Sequence, residues 1–261
     1  MTRRILLILT LAALAAAVAE AQPRAPQPRA SQPGTAQPQP PRGIASFNAG
    51  WQSPDRQFDD SFTFQQYLEN ATVDVDYNVK SGPVYEGGLG VRLWRALGFG
   101  VAFSKYTNKS SAKVTGAIPH PFFYNRTRAI DSDATGVERD ETSVHAQVLA
   151  FVPAGRHVLL VVSAGPSFVT VRQNLVTRVH YDESYPFDTA TFRTADTTSE
   201  NERRTGFNAG VDIVFRFGNT FGLGALIRYT QATIDLSPAE GRTISVDAGG
   251  LQAGVGIRVI F

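Results

Sequence analysis

Apolar and polar residues alternate with a period of two along most of the chain after residue 43. The final segment shows the pattern most clearly: its apolar positions are Leu251, Ala253, Val255, Ile257, Val259 and Phe261, with Gln252, Gly254, Gly256 and Arg258 between them. Alternation of this kind indicates a β-strand with one apolar and one polar face. The chain is therefore predicted to be all-β from Ile44 to Phe261.

The same alternation recurs upstream in pairs of segments joined by short turns. Residues 207–217 and 221–229 flank Gly218-Asn219-Thr220, residues 85–93 and 99–103 flank Arg95-Ala96, and residues 140–152 and 158–173 flank 153–156. Long polar loops are predicted near 108–137, 175–204 and 237–246. Short turns on one rim and long loops on the other are typical of an antiparallel up-and-down transmembrane β-barrel.

The number of strands depends on the first part of the barrel. Residues 72–79 alternate and are predicted to pair with the strand after Gly82-Pro83, which gives eight strands. If residues 44–52 and 62–67 form separate strands, the count is ten. Either number is even and places both ends of the barrel on the short-turn rim.

The N-terminal residues predict export and a linker. Arg3 and Arg4 precede an apolar run from Ile5 to Val18, and the small residues of 19–21 suit a signal peptidase, so residues 1–21 are predicted to be a signal peptide. Residues 22–43 are rich in Pro, Gln, Ala and Arg and are predicted to be a disordered, extended periplasmic linker. This linker is either solvated or in contact with the anionic cell wall through its arginines. Residues 44–261 form the predicted barrel.

Composition excludes several function classes. The chain has 25 Lys and Arg against 23 Asp and Glu, a net charge of +2, which gives no basis for a nucleic-acid partner. It has no cysteine, which excludes disulfides, a thiol nucleophile and a lipid-anchoring cysteine. No histidine has a second ligand at metal spacing, so neither a metal site nor a cofactor is predicted.

The alternating last strand, its terminal Phe261 and the unequal connections resemble those of the small bacterial outer-membrane β-barrels, the OmpA-type and OmpW-type barrels among them. The resemblance implies location in the outer membrane, with lipid against the apolar face. It also implies an assembly signal for the barrel assembly machinery in Val255, Ile257, Val259 and Phe261. Two aromatic girdles are expected: Trp94, Phe99, Phe151, Phe217, Phe221 and Phe261 on the short-turn rim, and Phe103, Phe168, Phe207 and Tyr229 toward the other.

A soluble barrel of lipocalin type is the alternative, because alternation alone does not distinguish the inside of a barrel from its outside. In such a barrel the apolar face lines the cavity. The terminal Phe261, the glycines on the other face and the long loops on one rim favour the membrane.

Charged residues on the polar face are predicted to form a network in the lumen. They are Glu86, Arg92, Asp212, Arg216, Arg228 and Arg258. Side chains just fill the interior of an eight-stranded barrel, so these charges must pair when they lose their water. The prediction is a salt-bridge network that plugs the lumen, and the alternative is a gated conductance through it.

No catalytic residue is predicted. Glu141, Ser143 and His145 share one face of a strand, but residues two apart lie about 6.6 Å apart, too far for the serine hydroxyl to reach the imidazole. The leading hypothesis is a structural or surface-interaction barrel without catalysis. A narrow pore for small solutes and a lipid-modifying hydrolase are the alternatives. The aromatic residues 122–124 are either a binding surface or packing among loops.

Overall fold

The computed structural model describes residues 40–53, 56–239 and 241–261. It contains ten strands: β1 (Gly43–Ser53), β2 (Arg56–Gln66), β3 (Glu69–Val79), β4 (Gly82–Trp94), β5 (Leu97–Pro119), β6 (Thr127–Pro153), β7 (Val158–Glu183), β8 (Ala190–Phe217), β9 (Phe221–Ala239) and β10 (Arg242–Ile260). The predicted signal peptide and all of the linker before residue 40 lie outside the described residues. Within those ranges, no helix is long and apolar enough to cross a membrane.

Eight of the strands close into a ring. β1 pairs with β4 and β10, β5 pairs with β4 and β6, and β6 to β9 each pair with the next strand in the chain. All of these pairings are antiparallel, so the predicted all-β, up-and-down barrel is confirmed. The two predicted strand counts each describe part of the molecule, since ten strands are present and the closed ring uses eight.

The two remaining strands, β2 and β3, form a hairpin beside the far half of β5. The turn at Tyr67 and Leu68 has positive φ at both residues, as a two-residue hairpin of type I′ requires. β3 pairs with residues 112–117 of β5, and β4 pairs with residues 97–106 of the same strand. The predicted pairing of residues 72–79 with the strand after Gly82 is therefore wrong: β3 and β4 run in the same direction, one after the other, along one edge of β5.

The connections predicted as long loops are mostly strand. β5 and β6 continue to a tip at residues 120–126, β7 and β8 continue to a tip at 184–189, and β9 and β10 are separated by residues 240–241 alone. We call this part of the molecule the extension; it comprises β2, β3 and residues 108–138, 174–206 and 231–250. The rest of the described chain is the barrel half.

The strands keep the same inward face in both halves, but the residues on that face change from polar to apolar. On β9, Leu223 and Ile227 are exposed on the outside of the barrel half, whereas Ile234 and Leu236 are buried inside the extension. Odd positions thus face outward and even positions inward along the whole strand. The residues that carry the apolar pattern switch from odd to even, and the prediction of polar loops did not account for this switch.

Inward-facing residues of the extension pack into one apolar core. The cluster contains Ala71, Val73, Val75, Tyr77, Ala112, Val114, Ile118, Ile130, Ala134, Val137, Val169, Val171, Leu175, Val176, Val179, Ala190, Ala232, Ile234, Leu236, Ile244, Val246 and Ala248. Burial of such side chains stabilises by about 1.5–3 kcal/mol for each large one. This core explains why the strands extend so far beyond the ring.

Strand β6 contains a bulge that brings its apolar residues into the core. Ser110 pairs with Val137 and Ala112 with Ala134, so the register between β5 and β6 shifts. Gly136 adopts a φ of +81° at this point, a conformation that glycine takes without strain. Inward-facing residues of β6 are therefore even-numbered before the bulge and odd-numbered after it.

We expect Leu236→Ala to loosen the extension without opening the ring. Leu236 is fully buried, and truncation of such a residue costs about 2–5 kcal/mol. The measurement is the rate at which trypsin cleaves the extension of the purified protein. The control is Leu223→Ala, which truncates an exposed leucine of the barrel half. Equal cleavage rates for the two variants would contradict the assignment of the core.

Candidate functional site

An uninterrupted apolar belt covers the outside of the barrel half. On β10, Leu251, Val255, Ile257 and Phe261 are each at least half exposed, and Trp51 on β1 is 61% exposed. The segment from Leu251 to Phe261 advances roughly 34 Å along the strand, or about 26 Å along the axis of a barrel with a tilt near 40°. That height matches the apolar band of about 25 Å found on outer-membrane barrels.

The polar face of the same strands is turned inward. Asn48, Glu86, Arg228, Gln252 and Arg258 are all buried within the ring. A soluble barrel with an apolar cavity has the opposite arrangement. The chain has the fold of a small outer-membrane β-barrel.

The aromatic girdles lie on the outer surface, with one exception. Trp94, Phe99, Phe217, Phe221 and Phe261 are exposed near the short turns, and Phe103, Phe168 and Phe207 are exposed at the other side of the belt. The placement of Phe151 in the girdle is wrong, because its side chain is fully buried. It packs inside the barrel in an apolar cluster at the short-turn end, with Ile44, Leu149, Leu159, Val161, Val214 and Ile260.

The residues of the predicted assembly signal lie on the last strand, between β1 and β9. Val255, Ile257 and Phe261 point outward, Val259 is half-buried, and the backbone of Phe261 is hydrogen-bonded to that of Gly43. The strand thus closes the ring. Its recognition by an assembly machinery stays a prediction.

Two of the six predicted lumen charges form a bidentate pair. The Nε of Arg258 donates to Asp212 Oδ2 at 2.7 Å, and the Nη2 of Arg258 donates to Asp212 Oδ1 at 2.6 Å. Arg258 is fully buried. A Cβ on Gly224 would lie 2.5 Å from Cζ of Arg258, so the glycine leaves the space that the guanidinium occupies.

Two more of the predicted charges meet deeper in the lumen. Nη1 of Arg228 donates to Oε2 of Glu86, and Nδ2 of Asn48 lies 3.5 Å from Oε1 of the same carboxylate. A cavity of about 50 Å³ adjoins this pair and is lined in part by Gln147. It has space for only a few water molecules.

The structure does not bring Arg92 and Arg216 into the network. Both lie at the short-turn rim, where each binds backbone carbonyl groups: Arg92 those of Pro41 and Arg95, and Arg216 that of Arg156. Their side chains therefore hold turns in place, although their positions in the alternating pattern match those of Arg228 and Arg258.

A third polar layer surrounds His145. Its Nε2 lies 3.1 Å from the hydroxyl of Ser104, and its Nδ1 lies 2.7 Å from that of Ser167. The Ser167 hydroxyl also accepts from Asn208 Nδ2 at 2.8 Å, and Asn208 Oδ1 accepts from Gln147 at 2.6 Å. All of these residues are buried.

The fourth layer surrounds Glu141, just below the apolar core of the extension. Glu141 accepts from Arg139 Nε at 2.7 Å, from Gln52 Nε2 at 2.8 Å and from the backbone N–H of Gly249 at 2.9 Å. Gln252 donates to Gln52 at 2.7 Å. Glu141 and His145 thus have separate partners, and neither is hydrogen-bonded to Ser143 among the contacts that the structure describes.

Sequence reasoning did not include Arg139, Gln52, Gln147 or Gln252 in the network. The alternating pattern indicates that each of these four side chains faces inward. It does not indicate which of them meet, because that depends on the register between neighbouring strands. Within residues 40–53, 56–239 and 241–261 no group of three or more His, Asp or Glu side chains could hold a metal ion.

An ion pair connects β2 to β10, where the backbones of these strands are not paired. Oδ2 of Asp60 lies 3.4 Å from Nη2 of Arg242, which also donates to the carbonyl of Val176 at 3.0 Å. The guanidinium stacks 4.8 Å from the ring centre of Phe62. Burial raises the pKa of the Asp60 carboxyl above its ordinary value, and the charge of Arg242 partly opposes that shift.

Three hairpin tips meet at the far end of the extension. We call them the apex: residues 67–68, 120–126 and 184–189. The hydroxyl of Tyr67 donates to Glu183 at 2.7 Å, Arg126 donates to Asp188 at 3.0 Å, and the rings of Phe122 and Phe187 meet edge to face at 5.5 Å. Polar and aromatic contacts therefore join the tips to one another.

The apex nevertheless leaves large apolar side chains in solvent. Leu68 is 90% exposed, Tyr185 85%, Tyr124 76%, Phe122 68% and Phe123 55%. Contacts among the tips therefore bury only part of the aromatic residues 122–124. Packing between the loops explains why these rings hold fixed positions. It does not explain why so much of their apolar surface stays in solvent. Clusters of exposed apolar side chains of this kind mark interaction surfaces.

Comparison with known proteins adds solved structures of the same fold class. The chain is similar to Neisserial surface protein A (13% identity, 84% of this chain and 97% of that one, TM-score 0.43). It is similar to the outer membrane protein OprG from Pseudomonas aeruginosa (10%, 85% and 98%, 0.46) and to the outer membrane protease OmpT from Escherichia coli (8%, 84% and 96%, 0.43). No family model and no curated protein matches the chain. At these identities and TM-scores, the similarities carry no argument about function.

We expect Arg228→Ala to destabilise the barrel by about 3–5 kcal/mol, because it leaves the carboxylate of Glu86 buried without its partner. Urea unfolding in lipid vesicles, followed by tryptophan fluorescence, measures the change. Arg216→Ala is the matched control, since it removes an arginine of similar sequence context at the rim and should cost under about 1 kcal/mol. Similar losses in both variants would count against the buried pair.

We expect the extension to become less stable as pH rises through the pKa of Asp60. A raised pKa means that the folded state binds the proton more tightly than the unfolded state, so the contribution is complete below the ordinary Asp pKa of about 3.9 and is lost above the raised value. Asp60→Asn should remove this dependence. Tryptic cleavage of the extension after incubation at pH 4 to 8 measures it, with Asp59→Asn, an exposed neighbour, as control. An unchanged pH profile in Asp60→Asn would contradict the assignment.

Proposed function

We propose that the protein is a bacterial outer-membrane barrel that presents its extension at the cell surface and contacts a partner there through the apex, without catalysis. Lipid covers the apolar belt, the N-terminal signal peptide directs export, and the assembly machinery recognises the last strand. The linker then lies in the periplasm, within reach of the cell wall.

The exposure of the apex supports this proposal most directly. Five large apolar side chains on three separate tips are each more than half exposed, while the core beneath them is fully buried. Exposure of this kind costs solubility unless another surface covers it. Because the rings contact one another, the surface is also ordered before it meets a partner, which lowers the entropy cost of binding.

The lumen supports a closed barrel rather than a pore. Four polar layers fill the barrel half, an apolar cluster lies at one end and the extension core at the other. Conduction requires a continuous wet path, and the cavity beside Glu86 measures about 50 Å³. Substrate access to His145 is opposed by the same packing, because both ring nitrogens are occupied by buried serines.

The test compares cells that express the protein with cells that express an apex variant, in which Leu68, Phe122, Tyr124 and Tyr185 are replaced by serine. We expect wild-type cells to settle together or to adhere to protein-coated surfaces several-fold more than vector-only cells. The variant should fall to the vector level because its contact surface has lost its apolar side chains.

The control replaces Thr197 and Thr198, which are exposed on β8, with serine. Heat-dependent gel mobility of outer-membrane fractions and surface labelling establish that all forms reach the membrane in equal amounts. Equal adhesion of wild type and apex variant would overturn the apex as the contact surface. Recovery of the wild type in the soluble periplasm would overturn the membrane location itself.

A further inference from the structure

Strand β2 has one edge that no strand of the described residues covers. It pairs with β3 on one side and is the terminal strand of the sheet on the other. Gln66 and Glu69 flank the two-residue turn and form its closing hydrogen-bonded pair, so even-numbered residues of β2 bond to β3. The N–H and C=O groups of Ser61, Thr63 and Gln65 therefore point to the free edge.

Strand β7 presents a second free edge opposite β2. Its pairing with β6 ends at Gln173, so beyond that residue β8 is the one described strand with which β7 pairs. At Val176 the backbone groups on this edge are bonded by side chains: the N–H donates to the hydroxyl of Tyr77 at 2.7 Å, and the carbonyl accepts from Arg242 at 3.0 Å. These two side-chain hydrogen bonds to the edge are both made at Val176.

A groove of about 790 Å³ lies between the two edges. Its lining includes the run Ser61, Phe62, Thr63 and Phe64 on β2 and the run Thr177, Arg178 and Val179 on β7. Successive residues of a strand point to opposite faces, so consecutive residues line the same groove only if the strand turns its edge, and hence its backbone, toward it. The groove is therefore bounded by free peptide groups on two sides.

The dimensions and lining suit an extended peptide. The β2 wall from Ser61 to Gln66 is about 17 Å long at roughly 3.3 Å per residue, and the volume falls within the range of about 300–1,000 Å³ typical of ligand sites. Apolar contacts come from Phe62 and Phe64, at alternate positions of β2, and from Tyr181 on β7. Arg178 supplies positive charge, whereas the charge of Arg242 is paired with that of Asp60. None of the described lining residues is acidic.

We propose that this groove binds an extended, acidic peptide segment of a partner protein, which adds a strand to the free edge of β2. Main-chain hydrogen bonds to Ser61, Thr63 and Gln65 would supply affinity. Alternate apolar side chains of the peptide would contact Phe62 and Phe64, and a carboxylate would face Arg178.

The test uses phage-displayed random 12-residue peptides, panned against the purified protein in lipid nanodiscs. We expect enriched sequences with an apolar residue at every second position and at least one Asp or Glu. A synthetic peptide of the enriched sequence should bind roughly tenfold more weakly to Thr63→Pro, which removes an edge N–H without removing a bond to β3. Thr63→Val keeps that N–H and should bind as the wild type does. Arg178→Gln should weaken binding of the acidic peptide but not of its Asn or Gln counterpart.

Amide hydrogen exchange of the wild type provides a second measurement that needs no variant. Peptide binding should slow exchange at Ser61, Thr63 and Gln65, while Phe62 and Phe64, already bonded to β3, should change little. Failure to enrich any alternating peptide over empty nanodiscs, equal affinity of Thr63→Pro and Thr63→Val, or unchanged exchange at the three edge amides would each overturn the proposal. Because purified protein is used and the apex is left intact, failure here is distinct from failure of cell adhesion.

Discussion

The structure depends on one geometric constraint: side chains of a strand alternate between two faces except at a bulge such as that of β6, and the strands continue through two different surroundings. In the barrel half the outward face is apolar and exposed, and the inward face holds paired charges. In the extension the outward face meets water and the inward face forms an apolar core. A regular strand keeps the same positions facing inward along its length. The apolar residues must therefore change from the outward positions in the barrel half to the inward positions in the extension. Ile227 and Leu236 show both solutions on β9, one exposed on the odd face and the other buried on the even face.

Narrowness of the ring determines the chemistry of its interior. An eight-stranded barrel has no space for bulk water around a charge, so each inward carboxylate needs a cation or several donors close by. Asp212 has one guanidinium held by two bonds, whereas Glu141 has a guanidinium, an amide side chain and a backbone N–H. Glycines such as Gly224 complete the arrangement by leaving space for the long arginine side chains. Stability of the barrel and closure of the lumen thus have the same cause.

The sequence predicted the fold class, the short turns and the inward position of four charges, because each of these follows from local alternation. It did not predict which charges meet: Arg92 and Arg216 share the parity of Arg258 but lie at the rim, where their side chains bind the carbonyl groups of turns. Phe151 and His145 are both at odd, inward-facing positions of β6. The alternating pattern alone therefore indicates that Phe151 faces inward and does not belong to the girdle. Residues 193–205 of β8 are mostly exposed on both faces, and a strand of this kind has the composition of a loop. Contacts between the three tips of the apex arise from tertiary structure alone.

The reversal of the apolar face along β9 and β10 also fixes how these strands align. In a sheet with a single buried face, a shift of the register by one residue moves every apolar side chain from the buried face to the exposed face. Here the same shift would place Arg228 and Arg258 on the apolar outer face of the barrel half and, at the other end, Ile234 and Val246 on the polar outer face of the extension. The register shift therefore has a free-energy cost in the barrel half and a second cost in the extension. The two costs add along one pair of strands. A hairpin built this way selects its register twice.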